Sequence, residues 1–221
     1  NQTAADASVM MEPIVSDLTI LKDWQGNVYW PMLGINTLGF MNPGEGYQLN
    51  TSSSTTLIYP YSGAGRFDFS STNDDVSTKY NNPINTGNNM TLGIPDDAWE
   101  SKPDRGDEIV VFDQNGLMVG HAIYNEGSTA ISIWGDDLLT DEKDGLDMYE
   151  SFNIRLWRKS LDVEEVIDVN SWKEGVGYYS IDGISISGIS ISHDPLEDMP
   201  FEDSSLSITA TVQAYTGIID A

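Results

Sequence analysis

The residues best suited to chemistry lie between Asp136 and Glu150. There Asp136, Asp137, Asp141, Glu142, Asp144, Asp147 and Glu150 crowd around a single base, Lys143. Oxygen-rich loops with closely spaced carboxylates and a glycine for a sharp turn suit calcium, which takes about six to eight oxygen ligands. Aligned on the EF-hand pattern, Thr140, Glu142, Asp144 and Gly145 take the first, third, fifth and sixth positions, but the bidentate twelfth falls on Ser151. The loop is not an EF-hand. An irregular calcium site remains open, built on Asp136, Asp137, Asp141 and Asp144 with Asp107 or Glu108 supplied by a neighbouring hairpin. The alternative is a solvated acidic loop, although crowding so many carboxylates costs repulsion unless a cation offsets it.

A second candidate site is aromatic. Trp24, Trp30 and Tyr47 supply ring faces of the kind that stack on sugars, and acidic groups nearby would accept bonds from sugar hydroxyls. The competing reading is packing, the usual role of large aromatics in β proteins. Trp134 and Trp157 fall out of phase with the apolar residues beside them, which places their rings on the opposite face of their strands.

Catalytic readings find little material, and a non-enzyme is expected. His121 and His193 are the only histidines, so a histidine-based triad or zinc site is poorly supplied. His121 reads as a strand residue bonded locally. Gly188-Ile189-Ser190-Ile191-Ser192 approaches a nucleophile elbow but lacks the final glycine and alternates as a strand. No phosphate-binding glycine motif is present.

The chain of 221 residues carries 10 Lys+Arg against 35 Asp+Glu, a net charge of −25. Such a surface repels nucleic acid and anionic headgroups, so neither is an expected partner. With 39% hydrophobic residues it is also too rich in core-formers to be an acidic disordered tail. Cysteine is absent, so stability rests on packing or bound ions rather than disulfides. No apolar run approaches the roughly 18 residues of a membrane span, and no membrane insertion is expected.

The elements that must position these residues read as β. Ile131 and Ile133 alternate with Ser132 and Trp134; Phe152, Ile154 and Leu156 alternate with Asn153, Arg155 and Trp157. Asn115-Gly116 between two apolar runs marks a tight hairpin. In GISISGISIS the apolar phase changes at Gly188, which points to a bulge or a break between two strands. The stretch 161–169 (LDVEEVIDV) is the only short helical candidate. The expected fold is an all-β sandwich of antiparallel sheets, preceded by a small β-rich module.

Two stretches resemble modules that recur in large surface and secreted proteins of gliding, type IX-secreting bacteria. LKDWQGNVYWPMLGINTLGFMNPGEGYQLN is similar to a module whose most distinctive run is Pro43-Gly44-Glu45-Gly46-Tyr47. RGDEIVVFDQNGLMVGHAIY, followed by WGDDLLTDEKDGLDMYESFNIRLW, is similar to a β-sandwich module with a "GDEI…WGDD" pattern. The resemblance implies an extracellular or cell-surface, non-catalytic role in adhesion or recognition, on a chain that reads as a piece of a longer polypeptide. The expected organisation is a small module over 1–61, a linker or long loop over 62–89, a sandwich over 90–193, and an acidic spacer with a C-terminal strand over 194–221.

Expected partners are a glycan or protein surface ligand, or neighbouring copies of the chain. The last option rests on the strictly alternating LSITATVQAY (206–215), which could complete a neighbour's sheet and build an extracellular filament. A third reading is an accessory binding module of a secreted hydrolase.

Overall fold

Alternation builds strands where it was expected, and pairing adds others that the local sequence conceals. The computed structural model describes residues 4–59, 78–188 and 191–195, the last five by backbone alone. The N-terminal part holds β1 (Ala5–Asp6), α1 (Ala7–Met11), β2 (Leu18–Asp23), β3 (Val28–Trp30), β4 (Ile35–Asn36), β5 (Phe40–Met41) and β6 (Tyr47–Thr51). After it come β7 (Asn89–Ile94), β8 (Glu108–Phe112), β9 (Met118–Ile123), β10 (Thr129–Trp134) and β11 (Asn153–Arg158). The last four are β12 (Val163–Val169), β13 (Trp172–Glu174), β14 (Ile184–Ser187) and β15 (Ile191–Pro195). The fold is all-β and sandwich-like.

Among the described residues nine strands form one sheet in the order β13-β14-β7-β10-β9-β8-β11-β12-β15, antiparallel except for the parallel pair β14–β7. Its inner face gathers Met90, Leu92 and Ile94 from β7, Ile109 and Val111 from β8, Ile131 and Ile133 from β10, and Ile154 and Leu156 from β11 into one core. The sheet curls around that core. Trp172 on β13, near one edge, meets Phe152 beside β11 edge to face, with centroids 6.5 Å apart and planes at 85°.

The outer face is covered in two ways. Strands β4-β3-β2-β6 form a small sheet that lays Ile20, Val28, Trp30 and Ile35 onto Ala130, Ile184 and Ile186. On its far side α1 buries Ala7, Met10 and Met11 against Leu18, Leu21 and Met41. Asp6 caps that short helix by accepting the Ser8 N–H at 2.8 Å. Beside the small sheet, residues 78–88 form a strap over the outer face of β8 and β9. Tyr80 packs edge-on to Phe112 and tilted to His121.

The expected hairpin at Asn115-Gly116 joins β8 to β9, with Gly116 at φ 92°. Gly188 ends β14; β15 then pairs with β12 at the opposite edge, so the phase change marks a break between two strands. The segment 161–169 is not helical. Residues 163–169 form β12, because pairing to β11 on one side and β15 on the other outweighs a weak helical period. Residues 60–77 and the strand expected at 206–215 lie outside the described residues. Among the described residues no helix is long and apolar enough to cross a membrane.

Candidate functional site

Both ends of the curled core are closed by charged groups in phase with its apolar residues. At one end Arg158 donates through Nε to Glu165 at 3.1 Å and through Nη1 to Asp107 at 3.3 Å. Asp107 also accepts the backbone N–H groups of Asp104 and Lys159. At the other end Asp113 accepts N–H bonds from Asn115 and Leu117, at 2.8 and 2.7 Å, and Lys143 Nζ approaches it at 3.4 Å. Lys143 also donates to Glu150 at 2.7 Å, which ties the acidic loop to the hairpin turn.

Asp107 and Glu108 therefore do not join the acidic loop. They stand at the opposite end of β8, roughly 20 Å from Asp113 at the usual rise per residue. The hairpin's contribution to the loop is Asp113, which the sequence reading did not single out. Within the loop, Asp136 accepts the Asp144 N–H at 2.9 Å, Asp144 accepts the Asp137 N–H at 3.0 Å, and Asp137 accepts the Leu139 N–H. Asp141 is exposed. Asp136, Asp137 and Asp144 serve as turn acceptors, while Lys143 pairs with Asp113, Asp147 and Glu150. Among the described residues no three carboxylate or histidine side chains converge as an ion requires.

Burial alone would raise the Asp113 carboxyl, but the two N–H donors and the Lys143 ammonium outweigh it and hold the group below its ordinary value. A depressed carboxyl contributes stability that is present above its unfolded value and is lost as pH falls through the folded one. Urea midpoints followed from neutral pH down past about 3.9 should therefore fall more steeply for the wild type than for Asp113→Asn. The variant should be less stable at neutral pH and converge with the wild type in acid; parallel curves would remove Asp113 from the acid response.

The three aromatics part company. Trp30 is fully buried between the two sheets, seated on Gly93, where a Cβ would lie 2.6 Å from Leu33 and 2.9 Å from the indole. It is a packing residue and not a ligand contact. Tyr47 is half-buried; its hydroxyl accepts the Asn42 N–H at 2.7 Å and donates to Glu45 at 2.8 Å, so it pins the Pro43-Gly44 turn. Trp24 alone projects, 66% exposed.

Trp24 stands on the rim of a cleft of about 700 Å³ between the small sheet and the strap. One wall is the turn 24–27 with residues 34–37; the other is Asn82, Pro83 and Asn85; the floor is formed by outward residues of β9 and β10. Asn85 donates to the Trp24 carbonyl at 3.0 Å, and Ser132 on the floor donates to the Gly26 carbonyl at 2.7 Å, so both walls are anchored. Trp134 packs under Gly26, as its phase implied. The lining is rich in carboxamides, including Gln25, Asn27, Asn36, Asn82 and Asn125.

The strap that makes the second wall hangs on Glu108. Its carboxylate, 1% exposed, accepts the N–H groups of Lys79 at 2.7 Å and Tyr80 at 3.1 Å and contacts His121 Nε2 at 2.9 Å. His121 Nδ1 meets Asn82 at 3.3 Å. Tyr80 donates its hydroxyl to Glu164, which also pairs with Arg155 at 3.2 Å. Burial and the neighbouring Glu164 carboxylate push the Tyr80 phenol well above its ordinary value, so it stays a donor. No local sequence signal marks this cleft, because its walls come from segments that meet only in the folded chain. Comparison with family models, with curated proteins and with solved structures returned no match.

Proposed function

We propose that the protein is a non-catalytic extracellular recognition module that binds a neutral glycan in the cleft between Trp24 and the strap. The observation that carries the reading is an exposed indole on the rim of an open groove lined with side-chain amides. Pyranose faces are apolar and stack on indole, while carboxamides donate to and accept from ring hydroxyls without imposing a charge. The net charge of −25 disfavours sulfated or uronate-rich chains. His121, the histidine on the cleft floor, has both ring nitrogens engaged by Glu108 and Asn82, which favours binding over acid–base work. The reading requires no metal, and it serves equally a surface adhesin or an accessory module of a secreted hydrolase.

A glycan array followed by calorimetry tests it. The wild type is expected to retain neutral oligosaccharides and reject anionic ones. Trp24→Ala should weaken binding by roughly 30-fold, the scale of an aromatic anchor, with an unchanged melting curve because the ring is exposed. Absence of any glycan ligand, or equal binding by the variant, would sink the proposal.

A further inference from the structure

Lys22 faces inward from β2, in phase with Ile20, and is only 4% exposed. A buried ammonium is costly unless partnered. Its Nζ donates to Asn89 Oδ1 on β7 at 3.1 Å and lies 3.7 Å from Asp182 Oδ1 in the turn ahead of β14. That turn is fixed against the same residue, since the Asp182 N–H donates to the Asn89 carbonyl at 3.0 Å. Asn89 is itself 8% exposed. Three separate elements thus bring a buried amine and a buried carboxamide together beside a carboxylate that reaches solvent.

We propose that Lys22 and Asn89 become joined by an intramolecular isopeptide bond, with Asp182 carrying the proton. The neutral Nζ attacks Cγ of Asn89, so that a new C–N bond forms and the Cγ–Nδ2 bond breaks. A proton passes from Nζ through the Asp182 carboxylate to the departing nitrogen, which leaves as ammonia. Asp182 ends as it began, and no oxidant, reductant or co-reactant is consumed. Burial supplies the activation: it presses the Lys22 ammonium below the ordinary lysine value, against the opposing pull of Asp182, so the nucleophilic amine is easier to reach. Fixed proximity supplies the rest, since an amide that is inert to a free amine meets this one at high effective concentration. The Asp182 side chain is 57% exposed and borders a small cavity shared with Gln48 and Asn50, which gives ammonia an exit. In a chain without cysteine, the bond would staple the small sheet to the curled sheet across a separation of 67 residues.

Intact-mass measurement of the denatured full chain tests this directly. The expected mass is that of the sequence less one ammonia, and digestion should give a branched peptide joining the Lys22 and Asn89 segments. A succinimide at Asn115-Gly116 would produce the same deficit, so Lys22→Arg is the control: it should restore full mass, whereas a succinimide would persist. Asp182→Asn should leave most chains at full mass while keeping the fold. Lys22→Arg should also melt roughly 10 °C lower, as expected for loss of a crosslink closing a long loop. Full mass with separate peptides in the folded wild type, or a deficit that survives Lys22→Arg, overturns the proposal.

Discussion

Trp30→Ala should lower stability by about 3–5 kcal/mol, the range for deleting a large aromatic from a packed core. The indole is fully buried at the contact between the two sheets, where it fills the space left by Gly93 on β7. Among the described residues its Nε1–H meets no hydrogen-bond partner, so the contribution seen there is one of packing. Neighbours cannot readily collapse into the gap, because strand pairing holds β3 on one side and β7 on the other. Urea unfolding of the full chain measures the loss, and the placement of Trp30 makes the effect directional. The small sheet should lose its seat while the core around Leu92 and Ile131 keeps its own contacts, giving an early transition that moves residues 18–51 first. A change below about 1 kcal/mol, the scale of ordinary surface substitutions and their scatter, would mean that the sheets are held together elsewhere.

A loss of similar size, about 3–5 kcal/mol, is expected for Arg158→Met. The guanidinium reaches two carboxylates at one end of the core, with side chains 1% exposed for Asp107 and 10% for Glu165. Removing the cation leaves both acids in a site from which water is largely excluded, and that uncompensated charge sets the cost. Asp107 retains the N–H groups of Asp104 and Lys159, which limits the disturbance on its side of the pair. Arg158→Lys should recover only part of the loss, because one ammonium cannot match the planar fork that serves both acids. Full recovery by lysine would show that charge alone matters there.

Sequence reading located the β-strands whose two faces differ in polarity. Strands β10 and β11 were legible because one face meets the apolar core and the other meets polar cover, which leaves a period of two. The helical reading of 161–169 arose because Val163, Val166 and Ile167 fall at spacings that helices share. Nothing within nine residues reveals that partners wait on both sides. The acidic loop shows the same limit. Its charges were visible, but Lys143 and Asp113 are 30 residues apart, and their pairing belongs to the tertiary fold.

Trp24 and Trp30 stand six residues apart, and the buried one, Trp30, is seated on Gly93, far along the chain. Lys22 carries a readable sign. In Leu18-Thr19-Ile20-Leu21-Lys22 the lysine is in register with Ile20, a face that a solvated charge should avoid. Its partner Asn89 lay at the edge of a stretch read as linker, so no pairing was apparent.

The clasp at Glu108 has a consequence on the timescale of breathing motions. The Lys79 and Tyr80 amides of the strap are bonded to a carboxylate and not to a strand, so they belong to no ladder and need not open with one. Their solvent exchange requires release of the Glu108 carboxylate, at a free energy between that of a frayed end and that of the whole sheet. Farther along, the strap is held separately, by Asn82 on His121 and by Asn85 on the Trp24 carbonyl. The amides of Lys79 and Tyr80 would report, residue by residue, how often this end of the strap lets go of the sheet beneath it.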